Sequence, residues 1–119
     1  MGAFRRWLDR LAESDEARLA TEITSWSETV PGTVRIGEAP LRDRVKIAGV
    51  IKRITVFPMQ DHESLEALVS DGTGEVTVVF MGRRGISGFS LGTRVVVEGV
   101  LGEKRGAIKM INPLLQFSA

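Results

Sequence analysis

The 119-residue sequence predicts a mainly β fold: a small barrel of five short strands over residues 41–119, preceded by an amphipathic helical extension over residues 1–30. Two observations carry that expectation. In Val45-Lys46-Ile47-Ala48-Gly49-Val50-Ile51, and again in Arg94-Val95-Val96-Val97-Glu98-Gly99-Val100-Leu101, an apolar residue or glycine recurs at every second position. That is the period of a strand with one face on a core. Both runs also place a glycine, Gly49 or Gly99, in the inward row. A missing side chain there lets a strand coil sharply or lets a second backbone come close, as at the corners of a closed barrel.

The elements follow in order. Phe4, Trp7, Leu8, Leu11, Leu19, Ile23 and Trp26 recur at helical spacings, so residues 4–27 read as one amphipathic helix or two abutting ones. Ser14 is a good cap for a restart, and Asp15 and Glu16 suit a first turn. So many large apolar groups need a cover: the barrel itself, or else a second copy or a partner protein. Val30-Pro31-Gly32-Thr33 ends the helix and Ala39-Pro40 marks a second break. Residues 31–40 therefore read as a linker, with a connector or short edge strand over 33–38. Strand one is expected over residues 45–56 and strand two over 63–70. Asp71-Gly72-Thr73-Gly74 then forms a hairpin turn into strand three, 75–81. Four glycines between Gly82 and Gly92 disfavour a helix, so a loop is expected to carry Arg83, Arg84, Ile86 and Phe89. Strand four is expected over residues 93–101, a charged turn with Glu103, Lys104 and Arg105 over 102–106, and strand five over 107–111. Asn112-Pro113 stops the ladder, leaving Leu114, Leu115 and Phe117 to close the barrel or pair at its edge.

Composition bounds the function. A chain of this length has room for one core, able to bury roughly two thirds of its unfolded surface. Its 43% hydrophobic and 26% charged residues are those of a globular domain, which sets global disorder aside. No apolar run approaches the ~18 residues of a membrane-spanning helix, and Met1-Gly2-Ala3-Phe4-Arg5-Arg6 leads into charge, so a cytoplasmic location is expected. The absence of cysteine excludes disulfides, thiolate zinc sites and cysteine nucleophiles. The net charge of +1 averages unlike segments: residues 1–30 hold four arginines against six acids, and residues 31–119 hold twelve basic against nine acidic side chains. The basic excess of three thus lies on the expected barrel.

Catalytic patterns are missing. His62, the one histidine, lies between Asp61 and Glu63 without the second histidine of a zinc-protease helix, and reads as a solvated loop residue. The glycines of residues 82–92 match neither nucleotide-binding fingerprint, and the acids are scattered over turns and outward rows. No catalytic residue, metal or cofactor is expected.

The Val45–Ile51 opening, the Ser70-Asp71-Gly72-Thr73-Gly74-Glu75-Val76-Thr77-Val78-Val79-Phe80 turn and strand, and the Gly92–Leu101 strand together resemble the OB-fold of the anticodon-binding type. The likeness covers about residues 41–112, and its motifs are those of a fold more than of one family. Similar domains occur in class II aminoacyl-tRNA synthetases, in the wedge of a branch-migrating helicase and in accessory domains of replicative polymerases. The resemblance implies a binding module for single-stranded or junction nucleic acid, using the outer sheet face between the loops joining strands one and two and strands four and five. Alternation puts Lys46, Ala48, Val50 and Lys52 of strand one outward, with Glu66, Leu68, Ser70, Thr77, Val79 and Met81 on strands two and three. The loops would bring Arg53, Lys104 and Arg105, and Arg83 and Arg84 would extend the rim. Glu66, Thr77 and Val79 stand where anticodon domains place aromatic and glutamine residues, and there is no tyrosine, which implies weak sequence preference. Phe57 and Phe89 are the candidates for a stacking partner. The expectation is a non-catalytic module for single-stranded DNA or RNA. The alternative is an assembly module docking a protein on Ala48, Val50, Leu68, Val79 and Met81, with the Trp7/Trp26 helix contributing.

Overall fold

A computed structural model describes residues 2–58 and 63–118; His62 and its reading as a solvated loop residue lie outside them. The chain runs through helix α1 (Gly2–Ser27), a 3-10 turn (Ile36–Glu38) and strands β1 (Arg44–Pro58), β2 (Glu63–Ser70), β3 (Glu75–Met81), β4 (Arg94–Lys104), β5 (Ala107–Ile111) and β6 (Leu114–Phe117). β1 pairs with β2 and with β4, β2 with β3, β3 in parallel with β5, and β5 with β4, so five strands close into a ring. β6 continues along β4 at Val95–Glu98, the edge pairing expected of Leu114 to Phe117. Among the described residues no helix is long and apolar enough to cross a membrane.

The ring closes because β1 serves two neighbours. Its first half, Arg44–Val50, pairs with β4, and its second half, Val50–Pro58, pairs with β2. The change of partner needs a tight crossing. A Cβ on Gly49 would lie 2.7 Å from the Ser70 carbonyl oxygen and 2.7 Å from Val69 Cγ1. Gly99 is also crowded, but by a side chain, with Met110 Cγ at 2.9 Å from the position of its Cβ. Just past Gly49 the register steps from Ile51↔Val69 to Arg53↔Leu68, a bulge that leaves Lys52 unpaired and reverses which residues of β1 face out. Inside lie Ile47, Ile51, Leu65, Val69, Val76, Val78, Val95, Val97, Leu101 and Met110. Phe89 of the 82–93 loop packs edge-on against Phe80 at 5.8 Å, so it closes the core and does not offer a stacking surface.

Several elements differ from expectation. β4 runs on to Lys104, so the turn into β5 is only Arg105-Gly106, both at positive φ (55° and 81°), the two-residue geometry that matches strand twist. Ala48 sits in an outward row yet is buried together with its partner Val96; α1 contacts β1, and Val34 N of the segment after it donates to Lys46 O at 2.9 Å. The 31–40 segment carries Ile36 into the core. Its backbone N–H donates to Asp71 Oδ2 at 2.8 Å, while Asp71 Oδ1 accepts from Thr73 N (2.9 Å), Thr73 Oγ1 (2.6 Å) and Gly74 N (3.2 Å).

α1 is one helix, continuous through Ser14, and only its second half meets the barrel. Thr24 Oγ1 lies 2.9 Å from the Asp71 carbonyl oxygen, and the Arg94 guanidinium sits 4.9 Å above the Trp26 ring. Gly72, at φ 86°, is the seat of this contact: a Cβ there would stand 2.4 Å from the Ala20 carbonyl oxygen. Phe4, Trp7, Leu8 and Leu11 remain exposed, so the barrel does not cover the stripe as expected.

Two stability predictions follow from these contacts. Gly49→Ala meets backbone and should cost about 1–3 kcal/mol, whereas Gly99→Ala displaces only a flexible methionine and should cost less. Urea unfolding of the two variants measures the order, and equal midpoints would refute the crossing at Gly49. Asp71→Ala strands the amides of Ile36, Thr73 and Gly74 and should cost about 2–4 kcal/mol, lowering the melting temperature by roughly 4–8 °C per kcal/mol. A variant melting like the parent would show that these amides do not depend on the carboxylate.

Candidate nucleic-acid interface

The bulge at Lys52 decides which side chains share the outer face of β1, β2, β3 and β5. Because the register reverses there, Arg53, Thr55 and Phe57 point outward opposite Leu68, Glu66 and Ser64. Those residues in turn face Thr77, Val79 and Met81 across β2–β3, and Thr77 and Val79 face Lys109 and Ile111 across β3–β5. Three rows result: Arg53–Leu68–Thr77–Lys109, then Thr55–Glu66–Val79–Ile111, then Phe57–Ser64–Met81. A shallow depression of about 160 Å³ lies among Arg53, Thr55, Phe57, Glu66, Leu68 and Thr77. One cation stands at each end of the first row, and an aromatic ring, 45% exposed, stands at the β1 end of the third.

The sequence candidates divide over this surface. Arg53 and Thr77 lie in the first row, with Arg53 held in the β1–β2 ladder opposite Leu68 and not in a loop. Met81 is exposed at the end of the third row. Val79 has the right direction but is only 7% exposed between Glu66 and Ile111, so it supports the face without offering much contact. Lys52, the unpaired bulge residue, is exposed at the corner where β1 changes partner. Lys104 and Arg105 are exposed where β4 turns into β5, at the end of the strand that bears Lys109. Arg83 and Arg84 follow β3, and Arg84 is spoken for by an ion pair to Glu63 at 2.7 Å.

Lys46 does not join them. It pairs across β1–β4 with Glu98, before the bulge, beside Val96, Leu114 and Gln116. Lys46 and Lys52, both expected to face outward on strand one, therefore do not share a surface, because β1 turns from one wall to another between them. The apolar docking face of the alternative reading is broken too, since Ala48 and Val79 are buried.

Lys109 is not among the sequence candidates, although the apolar residues on either side of it, Ile108 and Met110, are a local signal that alternation turns it outward. The parallel pairing of β3 with β5 is what brings it opposite Thr77. Asn112 was read only as a stop. It accepts from Met81 N at 2.9 Å through Oδ1 and donates its own N–H to Val79 O at 2.7 Å, extending the hold on β3 past the last β5 pair.

No family model matches the chain, and no curated protein is significantly similar to it. Among solved structures it is similar to a chain of the replication protein A heterotrimer bound to single-stranded DNA, with a TM-score of 0.52 and 17% identity over 76% of this chain and 68% of that one. At that identity the likeness concerns the fold, and with the ring order it shows an OB-fold barrel carrying an N-terminal helix.

Proposed function

We propose that this chain is a non-catalytic module that binds single-stranded DNA or RNA, with weak sequence preference, on the outer face of β1, β2, β3 and β5. The observation that carries the reading is the row Arg53–Leu68–Thr77–Lys109, which sets two cations astride a small polar and apolar strip, with Phe57 exposed beside it. The two cations stand three strand spacings apart, roughly 14 Å, and so suit non-adjacent phosphates of a strand laid across the sheet, and Lys52, Lys104 and Arg105 extend the positive border. The structural relative supports the reading, since it was solved on single-stranded DNA. Glu66, Thr77 and Val79 offer no ring for bases, so the mode drawn here is backbone contact with one stacking partner and not the aromatic-rich pattern of the anticodon domains.

Fluorescence anisotropy with labelled single-stranded DNA and RNA across a salt series tests this. With about three to five phosphates neutralised, log K against log salt should slope at roughly −2 to −3.5, from about 0.7 per contact. Arg53→Glu with Lys109→Glu should flatten the slope by about 1.4 units, and Lys46→Glu, on the other wall, should leave it unchanged. A slope moved by Lys46→Glu alone would place the site on β1–β4 and defeat the model. Phe57→Ala should weaken binding by about 1–3 kcal/mol without changing the slope, as loss of one stacked base requires. Unchanged affinity would remove Phe57 from the interface.

A further inference from the structure

The first half of α1 has no role in the barrel or in the face just described. Its charges are segregated. Residues 1–10 hold Arg5, Arg6 and Arg10 against Asp9, a net of +2, and residues 11–27 hold Glu13, Asp15, Glu16 and Glu22 against Arg18, a net of −3. This order opposes the helix dipole: the first turn holds no acid and the last turn no base. Cations near the positive end and acids further on are unfavourable in a helix left alone. The two halves are nevertheless complementary to each other head to tail.

The apolar groups follow the same division. The basic half presents Phe4, Trp7 and Leu8 to solvent, with Leu11 just beyond it, and Phe4 is stacked on Trp7 at 6.1 Å between centroids. The acidic half borders an open groove of about 950 Å³ between α1 and the barrel, with Leu19, Ile23, Val50 and Leu91 in its lining and Glu16 and Glu22 on its helix side. Leu19 and Leu91 are 57% and 67% exposed. Lys52 and Arg94 line the barrel side of the groove, and Arg94 is engaged with Trp26.

We infer that the chain forms a two-fold dimer in which α1 pairs antiparallel with α1 of a second copy. The basic, apolar first half of each helix then lies along the acidic second half of the other and covers its groove. A second copy is the occupant that matches both halves at once, because a two-fold axis repeats the basic-on-acidic contact on each side. Nucleic acid would meet the arginines but would leave the apolar stripe uncovered and face the acids of the second half. The dimer and the nucleic-acid reading meet only at Lys52, which lines the groove and borders the Arg53–Lys109 face, so neither depends on the other.

Light scattering and sedimentation equilibrium of the full chain at about 10–100 μM, in low and high salt, test the proposal. The expected mass is twice the 13.0 kDa of one chain. Leu8→Asp with Leu11→Asp should give a monomer whose barrel melts as before. Arg5→Glu/Arg6→Glu/Arg10→Glu and Glu16→Arg/Glu22→Arg should each be monomeric alone, since each sets like charges against themselves, and should form a mixed dimer when combined. Recovery of the dimer on mixing excludes misfolding as the cause of either loss. A parent chain that stays monomeric overturns the proposal: in favour of nucleic acid if the arginine reversals then weaken oligonucleotide binding, and in favour of a different protein if they do not. Variants that remain dimeric alone, or fail to pair when mixed, overturn it equally.

Discussion

The buried carboxylate of Asp71 is the point from which the other parts take their positions. One oxygen folds the β2–β3 turn onto itself through Thr73 and Gly74, and the other holds the amide of Ile36, which brings the segment after α1 into the core. The carbonyl of the same residue receives Thr24 of the helix. A single residue in a short turn thus fastens a hairpin, a core plug and a helix, and its carboxylate satisfies the amides of Ile36, Thr73 and Gly74, while the Thr24 hydroxyl is shared between the Asp71 and Ala20 carbonyls. Gly72, beside it, keeps the surface low enough for the helix to seat.

Much of the barrel was legible in the sequence because period-two alternation and inward glycines are local signals with a physical cause. Strands two, three and five appear over the residues expected, and the 82–93 loop is a loop, as its glycines require. What could not be read locally depended on partners distant in sequence. Ile36 looked like part of a linker, since nothing in its neighbours announces that Asp71 will hold its amide. Arg53 looked like a loop residue because the bulge that moves it to the outer face needs β2 opposite to define it. Lys46 was placed with the other cations for the same reason, a pattern carried unbroken through a strand that changes partner halfway.

The bulge therefore shapes the candidate site more than any charged residue does. Were Lys52 paired in an unbulged ladder, strict alternation from Ile51 would carry Arg53, Thr55 and Phe57 inward, with Arg53 opposite Ala67 and Thr55 opposite Leu65, where an arginine has no companion for its charge. With it, the same three side chains join Lys109 on one surface. Positioning by backbone register makes that surface part of the rigid wall, so its geometry does not wait on loop movement.

The parallel contact of β3 with β5 spans only Thr77 to Val79, and Asn112 supplies the next two hydrogen bonds. Every other neighbour in the ring is held by a longer ladder, from Leu101–Lys104 in β4–β5 upward. This seam is also the one joined by a connection that winds through β4, and it is parallel where the other joins of the ring are antiparallel. The ring is thus thinnest at this seam, where opening breaks the fewest ladder pairs, and within the ring the amides of Met81 and Asn112 are expected among the first to trade protons with the solvent.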